Sequence, residues 1–284
     1  MFRHREREVT LTIFRLPPIQ LRSQTRTRPS GSAARRAVPP VRGLALIALL
    51  LVVWTIVGSD DSFAYPPPAT WIEQLWQLHR EGKIIPALLG TLRTCGIGLV
   101  LATLGGVTLG FLVGSVLLLD RALTPIMDFF RSLPPPAVVS VILLILGLGY
   151  SSAILMVTIG AIWPVLLNTA AGVRAVPPLR SDVGRTLGLT ASQQLQKVAL
   201  PSLIPNILLG VKISVSVAFV VTLFIEILGV TKGLGSLLSN RQQSFDAAGT
   251  WGILLLIGIC GYLLNVGIAL TERRLLRNWP VGVS

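Results

Sequence analysis

Residues 182–201, DVGRTLGLTASQQLQKVALP, are polar and charged, yet they lie between two long apolar runs. A segment of that composition is too costly to place in lipid and reads as a loop on one face of a membrane. Leu179, Val183 and Leu187 recur every four residues and stripe one side of a predicted first helix. Gly188 follows as a left-handed stop, a conformation that a residue without Cβ adopts cheaply. Thr190 and Gln193 have the spacing of a capping box that opens a second short helix. Leu195, Val198 and Ala199 give this second helix an apolar side, and Pro201 interrupts its hydrogen-bond ladder. On spacing alone, any loop holding a helical hairpin would read this way.

The rest of the chain says which kind of protein carries this loop. Its 284 residues are 52% hydrophobic and only 13% charged, with a mean hydropathy of +0.72. That balance excludes an ordinary soluble domain and predicts an all-α, polytopic membrane protein. Apolar spans are expected at about 43–58, 88–119, 134–148, 152–171, 204–229 and 250–270, six in all. Gly106, Gly110 and Gly114 repeat every four residues in the second span and predict a face for close helix packing. Between the first two spans, Thr70 and Glu73 have capping-box spacing, and Trp71, Leu75 and Leu78 suggest a short interfacial helix. Residues 120–133 read as a polar connection.

Residues 1–42 hold ten arginines against Glu6 and Glu8 and show no sustained period, so they read as a disordered basic tail. An over-extended reading frame or a targeting segment also fits that composition. Residues 43–279 form the membrane domain, with the loop at 174–201, and 280–284 a short C-terminal tail. The net charge of +13 would suggest nucleic acid in a soluble chain, but here its placement matters more. Lys and Arg crowd the tail, the 120–133 connection, the 174–201 loop and the C-terminus, where Arg273, Arg274 and Arg277 lie. The other side holds Arg80, Lys83, Lys232 and Arg241. The positive-inside rule therefore predicts a cytoplasmic loop and two cytoplasmic termini.

The chemistry is sparse. No G-x-x-x-x-G-K-[ST] phosphate loop, Gly-x-Ser-x-Gly elbow or His-Glu-x-x-His site occurs, so no catalytic residue and no metal site is assigned. Cys95 and Cys260 lie in apolar runs and read as small buried hydrophobes. Glu226, late in the fifth span, is the main path or gate candidate, because an acid at that depth needs a reason. Asn168, Ser214, Ser216 and Thr222 are further candidates for a polar path, although helical Ser and Thr also bond their own backbone. Lys212 and Arg93 are expected to snorkel.

The 182–201 loop resembles that of permeases of ATP-binding-cassette importers, which reads E-A-A, three residues, Gly, nine residues, I-x-L-P. The matching positions are Asp182, Val183, Gly184, Gly188, Val198, Leu200 and Pro201, with Arg185, Leu187 and Leu189 inside the motif. From about Tyr65 to Trp279 the chain is similar to the nitrate, sulfonate and taurine group. Thr91-Leu92-Arg93, Pro134 to Pro136, Asn168-Thr169, and Glu226 followed by Gly233-Leu234-Gly235 carry that likeness. Asn265 stands where many relatives have an acid.

The resemblance implies a type I importer permease in a bacterial inner membrane, paired with a second copy. Two ATPase subunits would dock on cytoplasmic coupling helices and consume ATP and Mg, with no cofactor in this chain. An external binding protein would deliver a small anion for alternating access: nitrate, a sulfonate or taurine, or bicarbonate. A pyrimidine precursor of thiamine is the alternative cargo. A secondary transporter or channel is the alternative class; it would need coupling acids or an inverted repeat.

Overall fold

Small residues set the spacing of the central helices. In the computed structural model, which describes residues 41–59, 65–176, 186–194, 196–197 and 200–277, α3 (Ile84–Ser115) and α6 (Tyr150–Arg174) pack along most of their length. A Cβ on Gly106 would lie 2.7 Å from Val165 Cβ, one on Gly110 2.5 Å from the Leu166 carbonyl, and one on Gly114 2.7 Å from Val173 Cβ. The predicted glycine face is thus the α3–α6 seam, continued by Gly98 against Val157. Ala153, Val157, Ala161 and Val165 line the α6 side, all buried at four-residue intervals.

The other helices are α1 (Val41–Val57), α2 (Pro68–Arg80), α4 (Leu117–Ser132), α5 (Pro135–Leu146), the single turn α7 (Ala191–Gln194), α8 (Leu200–Ile227), α9 (Leu234–Gln243) and α10 (Ala247–Leu276). The chain divides into two units, Met1–Leu49 and Leu50–Ser284; of the first, only the opening of α1 is described. The expected tail and the 280–284 segment otherwise lie outside the described residues, and Val41 and Arg42 already belong to α1. Among the described residues four helices are long and apolar enough to cross a membrane: α3, α6, α8 and α10. Shorter apolar helices stand at the first and third expected spans. Pro134 and the left-handed Gly147 (φ 71°) bracket α5 at twelve residues, about 18 Å of rise.

Two local readings change. The 117–132 segment is a helix with Pro125 inside it; Leu123 and Met127, four apart, pack on Val113, Leu166 and Ala170. Asp120 pairs with Arg174 across the same contact. The Thr70–Glu73 capping box does not form, because Pro67 is the N-cap and the helix begins one turn early with Pro68. Thr70 instead donates to the Pro67 carbonyl at 2.8 Å. Trp71 of α2 stacks on Trp251 of α10 at 5.5 Å, and Trp54 of α1 meets both edge-on. The Pro66 carbonyl accepts from the indole N–H of Trp54 (3.2 Å) and of Trp71 (3.0 Å).

Candidate functional site: a loop and a buried clasp at opposite ends of α8

α8 is an apolar rod of 28 residues, about 42 Å long. Its ends carry the two features of interest. At the first end, Gly188 has φ +70°, the left-handed stop expected of it. Thr190 N donates to Gln193 Oε1 at 3.0 Å, and Gln193 N to Thr190 Oγ1 at 3.3 Å. Both arms of the capping box are therefore made, and α7 follows. Leu200 and Pro201 are the first two described residues of α8. Leu187, 71% exposed, and Leu200 present apolar surface at this end, with Leu189 half-buried between them. Asp182, Val183, Gly184, Arg185 and Val198 lie outside the described residues.

At the other end Glu226 is wholly buried. Its Oε2 accepts from Thr91 Oγ1 on α3 and from the Gly235 N–H, each at 2.9 Å. Thr91 Oγ1 in turn accepts from the Leu234 N–H at 2.9 Å. Leu234 and Gly235 open α9, so the acid and the hydroxyl satisfy two orphan donors of that helix and meet its positive end. Glu226 Oε1 has no hydrogen-bond partner among the described residues. Three glycines make room for this closure. A Cβ on Gly233 would lie 2.0 Å from Glu226 Oε1, one on Gly235 2.4 Å from the Leu223 carbonyl, and one on Gly90 2.5 Å from the Lys232 carbonyl. Thr91 and Gly90 carried no assigned role in the sequence, because their partners lie far along the chain.

The remaining polar candidates do not converge on a common cavity. Ser214 is buried and donates to the Ala161 carbonyl at 2.6 Å, joining α8 to α6. Thr222 donates to Ala218 O and Asn168 to Pro164 O, each in its own helix. Ser216 is exposed and donates to Asn265 Oδ1 of α10 at 3.0 Å. On the same α8–α10 seam Lys212 pairs with Glu272 at 2.9 Å; between α3 and α6, Arg93 stacks over the Tyr150 ring at 4.9 Å. An apolar groove of about 700 Å³ between α5, α6 and α8 is lined by residues such as Ile142, Met156, Trp163 and Val221.

Comparison with known proteins gives this arrangement of loop, long apolar helix and buried clasp a family. The model of the binding-protein-dependent transport system inner membrane component matches residues 106–277. The chain belongs to that family. The nitrate import permease protein NrtB of Synechocystis sp. is 30% identical over 241 residues, 82% of this chain and 88% of that one. The bicarbonate transport system permease protein CmpB of the same organism is 29% identical, covering 83% and 88%. An inward-facing structure of the MetNI methionine ABC transporter shares the fold at TM-score 0.61 and 20% identity, over 69% of this chain and 97% of that one. This inner membrane component is a permease subunit of an ABC importer and not an enzyme. Its partners are an ATPase and a substrate-binding protein.

Proposed function

We propose that the chain is the permease of an importer for a small anion, working by alternating access as a homodimer embedded in lipid. The relatives named for nitrate and bicarbonate support that class of cargo, and a sulfonate or taurine fits the same class. Two ATPase subunits use ATP and Mg on the cytoplasmic side, where both termini lie; nucleic acid has no part. The ATPases meet the 182–201 loop, so that Leu187 and Leu200 supply apolar contact and the Gly188 turn keeps the hairpin bent.

The observation that carries this reading is that a single helix, α8, runs from Leu200 at the end of the loop to Ile227, just past Glu226, with Pro205 inside it. Closure of the ATPase pair displaces the loop, and α8 moves as a rod because Ser214 and its neighbours fasten it to α6. At the far end Glu226 and Thr91 hold α9 to α3 and α8, so the outer gate follows the rod instead of fraying. Glu226 faces α9 and not the groove, which gives it a positioning role and keeps a carboxylate away from an anionic cargo. The test is ATP-driven uptake in proteoliposomes holding the permease, its ATPase and its binding protein. Labelled nitrate, bicarbonate, taurine and an alkanesulfonate are offered in turn. Uptake of one of them that requires all three proteins is the expected result. Uptake without ATP contradicts it.

A further inference from the structure

α5 has twelve residues, and about 18 Å of rise does not cross a hydrocarbon core of about 30 Å. The missing length lies in α4, whose sixteen residues supply about 24 Å more. Asp120 pairs with Arg174, the last residue of α6 before the ATPase loop, and Met127 packs on Leu166 and Ala170. α4 therefore climbs back beside α6 from its inner end. Leu166 stands just over two turns before Arg174, which puts Met127 and its neighbour Asp128 about 12 Å inward of that end.

α4 turns three faces to its surroundings. Leu123 and Met127 meet the core. Leu118, Ala122 and Ile126, four apart, are exposed and apolar, as a side against lipid should be. Arg121, Thr124, Asp128 and Ser132, three or four apart, are exposed and polar. Thr124 donates to Asp120 O at 2.6 Å and Ser132 to Phe129 O at 2.7 Å, so those hydroxyls would tolerate lipid. An acid at the depth of Asp128 would not, and such acids face a bundle interior or a water-filled cavity. Pro125 points the same way. It brings no N–H to the Arg121 carbonyl, and a backbone acceptor released near acyl chains is kept where water reaches it.

We propose that α4 and α5 together make the third crossing, and that the Arg121–Thr124–Asp128–Ser132 face of α4 walls the water-filled inner half of the transport path. Arg121 and Asp128, two turns apart, give this wall both signs, so it keeps the path wet for a passing anion without holding the anion. The inference rests on the alternating access proposed above, with the loop end inside.

The test uses single cysteines in a chain lacking Cys95 and Cys260, assembled with its ATPase in nanodiscs so that reagent reaches both faces. Ile126→Cys and Asp128→Cys lie within about 3 Å of one depth but on different faces. An anionic, membrane-impermeant methanethiosulfonate should modify Asp128→Cys at least tenfold faster than Ile126→Cys, and trapping the ATPase with ATP and vanadate should slow that reaction severalfold. Ser132→Cys makes the same comparison should Asp128→Cys fail to assemble. Equal rates on the two faces, or no modification on the polar one, overturn the inference. Fast modification of the polar face that trapped nucleotide leaves unchanged upholds the wet wall and overturns alternating access alone.

Discussion

Thr91 and Glu226 are 135 positions apart, and a 2.9 Å hydrogen bond joins them beneath the first turn of α9. The bond has a second consequence, because the same hydroxyl accepts from Leu234. Thr91→Val therefore strands a buried N–H as well as half of a carboxylate's bonding, at about 1–3 kcal/mol. Glu226→Ala should cost about as much, and the double variant less than the two together, since both losses belong to one network. Thr91→Ser and Glu226→Gln keep hydrogen-bonding groups and should be milder. Thermal unfolding in detergent measures the cycle, while ATP hydrolysis against uptake shows whether the damaged clasp uncouples transport. Simple additivity would mean that the two residues act independently.

Gly188 makes a different kind of prediction, because among the described residues nothing lies within 4 Å of where its Cβ would be. The backbone objects: at φ +70° a β-branched residue is strained by about 1 kcal/mol or more. Gly188→Val should leave the spans intact and abolish binding-protein-stimulated ATP hydrolysis, with Gly188→Asn intermediate. Full stimulation in the valine variant would remove the loop from the coupling path.

The α3–α6 seam should be far less forgiving. Gly110→Val would press a branched side chain into the Leu166 carbonyl, overpacking by roughly 1–3 kcal/mol. The expected readout is a lower melting temperature and poor recovery of the assembled complex, whereas Gly96→Ala, with nothing within 4 Å among the described residues, should behave as wild type.

At the α2–α3 corner the Lys83 ammonium donates to Glu81 and holds its carboxyl below its ordinary value of 4.5; desolvation pushes the other way, and the charges of Lys83 and Arg241 add to the lowering. A folded-state pKa lowered in this way contributes stability above the unfolded-state value and loses it as pH falls through the folded one. Acid below about pH 4.5 should thus loosen the tie between this corner and α9. Hydrogen exchange of residues 240–246 across that range measures it, and Glu81→Gln should remove the acid-dependent component. An unaltered pH profile in that variant would show that Glu81 does not tie this corner to α9.

What the sequence revealed follows from how local each feature is. Gly188 and the Thr190–Gln193 box are set by neighbouring residues, so spacing alone located them. The long spans and the glycine face of α3 were equally plain, because period and hydropathy encode them directly. Glu226 stood out as an acid in an apolar run, but its partner did not: no local pattern links Thr91 to a helix N-terminus 143 residues away. The helix at 117–132 was hidden by Pro125 and by charges that a connection would also carry. Its Leu123–Met127 contact with α3 and α6 stabilises it, and that is tertiary information.

The central claim is that the loop before α8 receives the ATPase and the far end of α8 does not. A photoreactive residue placed at Leu187 or at Asn240, both exposed, reports this in the assembled complex within sealed membranes. Irradiation should join the ATPase to position 187 and leave position 240 without it. Cross-linking of the ATPase from 240, or its absence from 187 in a complex that still hydrolyses ATP, would contradict the account.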